Sequence, residues 1–189
     1  MFKQLFILLF QLITKPVPVW ERLSEQQKKN NDDFYKSYLF PIIGTIALLS
    51  FVGIIISTET FNVQLALKRV ILQVMIYGGS FYSVSFVLSS YIFPRFDLPV
   101  NKLLAERFTG YSSSLTYIVV MILSLFPSFF FLNLFLLYTV YIIWAGAIEF
   151  LKIREAFLMK FTMFTSILIL LTPFLIDFLI KLLMPGMKN

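Results

Sequence analysis

From Phe108 to Ile148 the chain carries no charged residue, and Arg107 and Glu149 bracket the run. At ~1.5 Å per helical residue this is about twice what a ~30 Å hydrocarbon layer requires. Pro127 lies near its middle, where a helix interior would lose a hydrogen bond and clash with the preceding turn. The pattern therefore predicts two apolar helices, about Tyr111–Phe126 and Phe129–Ile148, joined by a very tight turn. Three more apolar runs stand outside it: about Tyr38–Ser57, Val70–Phe93 and Phe161–Leu183. Pro41 is tolerated in the first turn of its helix, and Pro173 is expected to kink the last one. The predicted fold class is all-α: a polytopic integral membrane protein with a five-helix membrane domain over residues 37–184.

The N-terminal segment, residues 1–36, has a different pattern. Wound as a helix, residues 1–15 place Lys3, Gln4, Gln11, Thr14 and Lys15 on one arc, with Ile7 intruding. Phe2, Leu5, Phe6, Leu9, Leu12 and Ile13 fill the other side. This reads as an amphipathic helix lying in the membrane interface; a short uncleaved anchor is the alternative. A cleavable leader fits poorly, because Gln4 and Gln11 interrupt the apolar run and Lys15-Pro16-Val17-Pro18 replaces a small-residue cleavage site. Pro16 and Pro18 are expected to end the helix, with Trp20 as an interfacial anchor. Ser24–Asp33 reads as a hydrated link, Thr58–Leu67 as a short loop, and Asp97–Thr109 as a longer loop with a short helix from Asn101 to Phe108.

Charge then orients the spans. The 16 Lys and Arg divide 12 against 4 between the two faces of a five-span chain. That places the N-terminus in the cytoplasm and the short tail, 185–189, outside. The net charge of +6 lies in short flanks between apolar runs, where it sets topology and meets headgroups; no nucleic-acid partner is expected. Composition agrees, with 59% hydrophobic residues, 14% charged and a mean hydropathy of +0.85. A soluble domain carries about a quarter charged residues. The absence of Cys and His removes thiolate and imidazole chemistry, so no metal, cofactor or catalytic residue is expected.

Two sets of residues remain as candidates. On the second span, Gly78, Gly79, Ser83, Ser85, Ser89 and Ser90 fall on one half of the helix wheel. Val70, Tyr77, Phe81, Val84, Val87, Leu88 and Tyr91 fall on the other. Small residues let helices approach closely, so the first set reads as a helix-packing face. A polar pore lining is the alternative, with Tyr82 and Phe86 set into its middle. The second set is intramembrane and polar: Gln73, Asn133, Asp177 and Lys181. Asp177 and Lys181 are an i,i+4 pair, acid before base, which reads as a neutralised structural pair or as a proton or ion site. Gln73 and Asn133 read as interhelical hydrogen-bonding groups.

The order of features resembles the Yip family, the Ypt-interacting, Rab-associated five-span membrane proteins, particularly its prokaryotic branch. The residues that carry the resemblance are the Pro and Trp before the charged link, Pro41 and Gly44, Gly110-Tyr111-Ser112, and Tyr138, Tyr141, Trp144 and Gly146. A charged connector and a Pro-containing last span follow. In eukaryotic members the family implies trafficking scaffolds that bind small GTPases through a long acidic region with an Asp-Leu-Tyr-Gly-Pro motif. This chain has about 36 net basic residues there and lacks the motif, which sets it apart from the GTPase-binding members. For the prokaryotic branch the membrane is the inner (plasma) membrane. The expected function is non-catalytic: a scaffold, bilayer-shaping or assembly-partner protein, working as a homo-oligomer or beside a membrane partner. A small oligomeric transporter or channel is the alternative, with an intramembrane enzyme behind both.

Overall fold

The computed structural model describes residues 2–29, 34–57 and 62–183. Glu59 and the tail from Met184 lie outside them. The described chain is helical apart from short connectors, and no strand occurs among the described residues. Helices α1 (Phe2–Thr14) and α2 (Pro16–Lys29) form an N-terminal pair. The remaining elements are α3 (Tyr35–Ile56), α4 (Val63–Arg95), α5 (Lys102–Ser112), α6 (Ser114–Leu125), α7 (Pro127–Glu149) and α8 (Glu155–Leu183). Four of these, α3, α4, α7 and α8, are long and apolar enough to cross a membrane. A fifth span exists if α5 and α6, bent by 48° at Ser113, act as one.

Local chemistry accounts for the boundaries. Asn62 and Asn101 cap α4 and α5, their side-chain oxygens accepting from Leu65 N–H and Leu104 N–H, both at 3.1 Å. The helix of α4 thus begins inside the stretch expected to be a loop, and Lys68 and Arg69 sit within it. Only Phe126 separates α6 from α7, and Pro127 opens α7 where its missing N–H costs nothing. The first half of α7, Pro127–Tyr138, is wound as a 3₁₀ helix and buries none of its residues. α8 continues through Pro173. Asp97 and Lys152 take the left-handed conformation in the two connectors, which the Arg154–Asp97 ion pair ties together.

The third span differs from its expected form. α6 has 12 residues, ~18 Å by helical rise, and cannot cross a bilayer alone. Gly110-Tyr111-Ser112 belong to α5, on the far side of the bend.

The N-terminal segment differs more. Pro16 and Pro18 occupy the first turn of α2, where proline is tolerated, so α2 continues to Lys29 through most of the expected link. Trp20 is not an interfacial anchor. It is fully buried, its indole N–H donates to the Ile142 carbonyl at 3.0 Å, and Phe108, Tyr111 and Phe150 surround its ring. The socket exists because Gly146 lacks a side chain: a Cβ there would lie 2.6 Å from the indole. Leu5, Leu9 and Leu12 of α1 are buried in the same way, while Phe2, Phe6, Ile7 and Phe10 face outward.

Packing is uneven along the bundle. One core gathers around Trp20, Phe93, Phe108, Ile142 and Phe161, where α5, α7 and α8 meet the N-terminal pair. A second joins Leu5, Leu9, Phe34, Tyr38, Phe81 and Tyr117, and the Tyr38 hydroxyl donates to the Gly110 carbonyl at 3.2 Å. At the opposite end, near the start of α4 and the end of α8, the buried cluster is only Leu72, Ile76 and Ile180.

Candidate functional site

The loosely packed end holds a cavity of about 240 Å³ between α4, α6, α7 and α8. All four intramembrane polar candidates, Gln73, Asn133, Asp177 and Lys181, line it. They come from three helices and are up to 108 positions apart in the chain, yet they converge on one space. Arg69, Tyr77, Thr116 and Ser124 add polar groups, and Leu72, Leu136, Leu170 and Phe174 supply an apolar wall.

Lys181 Nζ lies 2.7 Å from Asp177 Oδ2, and both side chains are partly exposed. Arg69 is exposed and has no ion pair among the described residues. Asn133 Nδ2 donates to the Phe130 carbonyl at 3.0 Å, so it is held within α7 and does not bridge to another helix. Gln73 is 9% exposed and its Oε1 has no hydrogen-bond partner; Thr116 is 7% exposed and its hydroxyl has none either. An unpaired buried polar group costs about 1–3 kcal/mol. Both residues line the cavity, while the two oxygens themselves are enclosed as the side chains now lie.

Thr116 also lines a second, much smaller space of about 10 Å³, with Ser80, Thr109 and Ser113. Pro173 borders both spaces and has no N–H to offer the carbonyl of Ile169, a residue that lines the smaller one. Tyr77 and Thr116 also border both spaces, and the smaller one reaches Thr109 and Ser113 at the bend between α5 and α6. On the other side of that bend Glu106 is buried, with Lys102 Nζ 3.7 Å away, and Arg107 is buried beside it. Sequence reasoning missed these residues, because a charge or hydroxyl beside an apolar run looks the same whether it faces headgroups or the bundle interior.

The six small residues of α4 do not share one packing face within the protomer. Ser85 and Ser89 are buried, Gly78 and Gly79 half-buried, and Ser83 and Ser90 exposed. Phe81, Val84 and Leu88, from the opposite half, are buried with the first two. The closest helix approach lies elsewhere. A Cβ at Gly53 of α3 would fall 1.8 Å from the Ser124 carbonyl oxygen of α6, and Ser50 and Ser124 hydroxyls lie 3.2 Å apart beside it.

Among the described residues no group of three His, Cys, Asp or Glu side chains could hold a metal ion. No family model, curated protein or solved structure matches the chain.

Proposed function

We propose that this is a five-span integral membrane protein of the Yip type, oriented with its N-terminus in the cytoplasm, that acts without catalysis as a membrane scaffold or assembly partner. The observation that carries this reading is the seat of the N-terminal segment, residues 1–36. Gly110 and Gly146, two residues on which the family resemblance rests, are where Phe34 and Trp20 press against the backbone. The helices, by contrast, present apolar side chains outward, including Phe130, Leu134, Met159 and Leu183. Such a surface suits lipid or another membrane helix. α1, with Phe2, Phe6 and Phe10 facing away from the bundle, would extend this surface at one edge.

Ser83 gives a clean test of assembly, because it is exposed within the protomer. Ser83→Leu should leave the monomer folded and change its association, read by cross-linking in native membranes. Unchanged cross-linking, with or without a partner, would remove the assembly role from this face of α4. Orientation is tested separately: a reporter fused after Asn189 should be active outside the cytoplasm, and cytoplasmic activity would overturn either the five-span count or this orientation.

A second reading, an oligomeric carrier or channel, is favoured by the charged and polar side chains that line the larger cavity, Arg69, Gln73, Thr116, Asn133, Asp177 and Lys181. Solute flux in liposomes would support it over a scaffold.

A further inference from the structure

The cavity carries an inference beyond assembly; it needs of that reading only that α4 crosses the bilayer. Three of its side chains are charged, two cations and one carboxylate, so the space is net positive. Asp177 holds Lys181 at the wall, while Arg69 has no ion-pair partner among the described residues. Gln73 and Thr116 line the same space, and each carries an oxygen without a hydrogen-bond partner, the Gln73 Oε1 and the Thr116 hydroxyl, which a turn of the side chain would present to a ligand. A ligand that completes the site therefore has an anionic end for the two cations and a hydroxyl for Gln73 and Thr116. Its size is limited: about 240 Å³ lies below the ~300 Å³ at which pockets for drug-sized molecules begin. Depth agrees with access from the membrane surface. Arg69 and Arg95 stand 26 residues apart on α4, ~39 Å by helical rise, close to the ~40–45 Å between the headgroup layers.

We propose that this cavity binds a small hydroxylated anion, with its phosphate or carboxylate on Arg69 and Lys181 and its hydroxyl on Gln73 and Thr116. The same chemistry is offered by a glycerol-type lipid headgroup and by a free hydroxylated phosphate or acid.

The test uses the full chain in phosphatidylcholine nanodiscs, with glycerol 3-phosphate titrated by calorimetry. A second arm reads phosphatidylglycerol retention by native mass spectrometry from mixed-lipid nanodiscs. Saturable binding of glycerol 3-phosphate assigns a soluble ligand. No heat in the first arm, but one retained phosphatidylglycerol per chain, assigns a lipid headgroup. In either arm Arg69→Gln should weaken binding about tenfold, as loss of a charge-assisted contact does. Gln73→Met combined with Thr116→Val keeps side-chain size and should weaken it about as much. Asp177→Asn removes the one negative charge and should tighten binding about threefold to tenfold. Gel filtration and helical circular dichroism identify any variant that fails to fold, and the remaining variants then decide. Absence of binding in both arms overturns the proposal, as does binding indifferent to Arg69→Gln and to the double variant. Weaker binding by a folded Asp177→Asn overturns the charge assignment.

Discussion

Trp20→Ala is expected to release α1 and α2 from the bundle. The indole is fully buried, makes a hydrogen bond across 122 positions of sequence, and touches three other rings. Truncation of a buried Trp costs about 3–5 kcal/mol, which is large for a docked pair of 13 and 14 residues. Hydrogen exchange in detergent should show the amides of residues 2–29 losing protection while those of α4 and α8 keep theirs. Trp20→Phe keeps most of the ring and should cost far less, about the 1 kcal/mol of one hydrogen bond plus the smaller area. Gly146→Ala attacks the same contact from below, because its Cβ would lie 2.6 Å from the indole and 2.9 Å from the Phe108 ring. Full protection of residues 2–29 in Trp20→Ala would mean that the leucines of α1 hold the pair without it.

Gly53→Ala should be the most damaging single-methyl change at the glycines of the helical bundle. The added carbon would meet the Ser124 carbonyl oxygen at 1.8 Å, and that oxygen is backbone and cannot swing away. α3 and α6 must separate, which also breaks the Ser50–Ser124 contact at 3.2 Å. Overpacking costs about 1–3 kcal/mol where side chains can adjust, and a backbone obstacle puts this case at the top of that range or above. Gly44→Ala, nine residues earlier on the same helix, meets nothing within 4 Å. It should stabilise by about 0.5–1 kcal/mol, because alanine loses less freedom than glycine in a helix. Thermal unfolding in one detergent, followed by the monomer fraction on gel filtration, compares the two. Equal midpoints would contradict the close approach of α3 and α6.

These two sites also show what a sequence can and cannot reveal. The apolar runs are legible because a long charge-free stretch has few soluble uses, and Pro127 marks its division. Gln73, Asn133, Asp177 and Lys181 stand out for the same reason: each is a polar residue in an apolar helix. Their convergence on one cavity is a property of how α4, α7 and α8 lie together, which no single helix encodes. Trp20 misleads because a Trp beside prolines in a basic segment has the same local pattern at a membrane surface and in a glycine-floored socket. The small residues of α4 mislead for another reason. Which side a helix buries depends on its neighbours, and here the tight approach falls to Gly53 and Ser50 of α3. The π-helical turn at Leu88–Ile92 also shifts the angular register, so a regular wheel drawn from Val70 loses its phase before Phe93. The bend at Ser113 is hidden in a run of three serines that would suit an unbroken helix equally well.

The unequal packing of the two ends has a mechanical consequence. Rods clamped at one end and hollow at the other behave like tongs. The aromatic collar around Trp20 acts as the rivet, and the tips of α4 and α8 are joined by the smaller cluster of Leu72, Ile76 and Ile180. A guest that bridged Arg69 and Lys181 would draw those tips together, and the collar would carry the change in tilt to the inner ends of the same two helices.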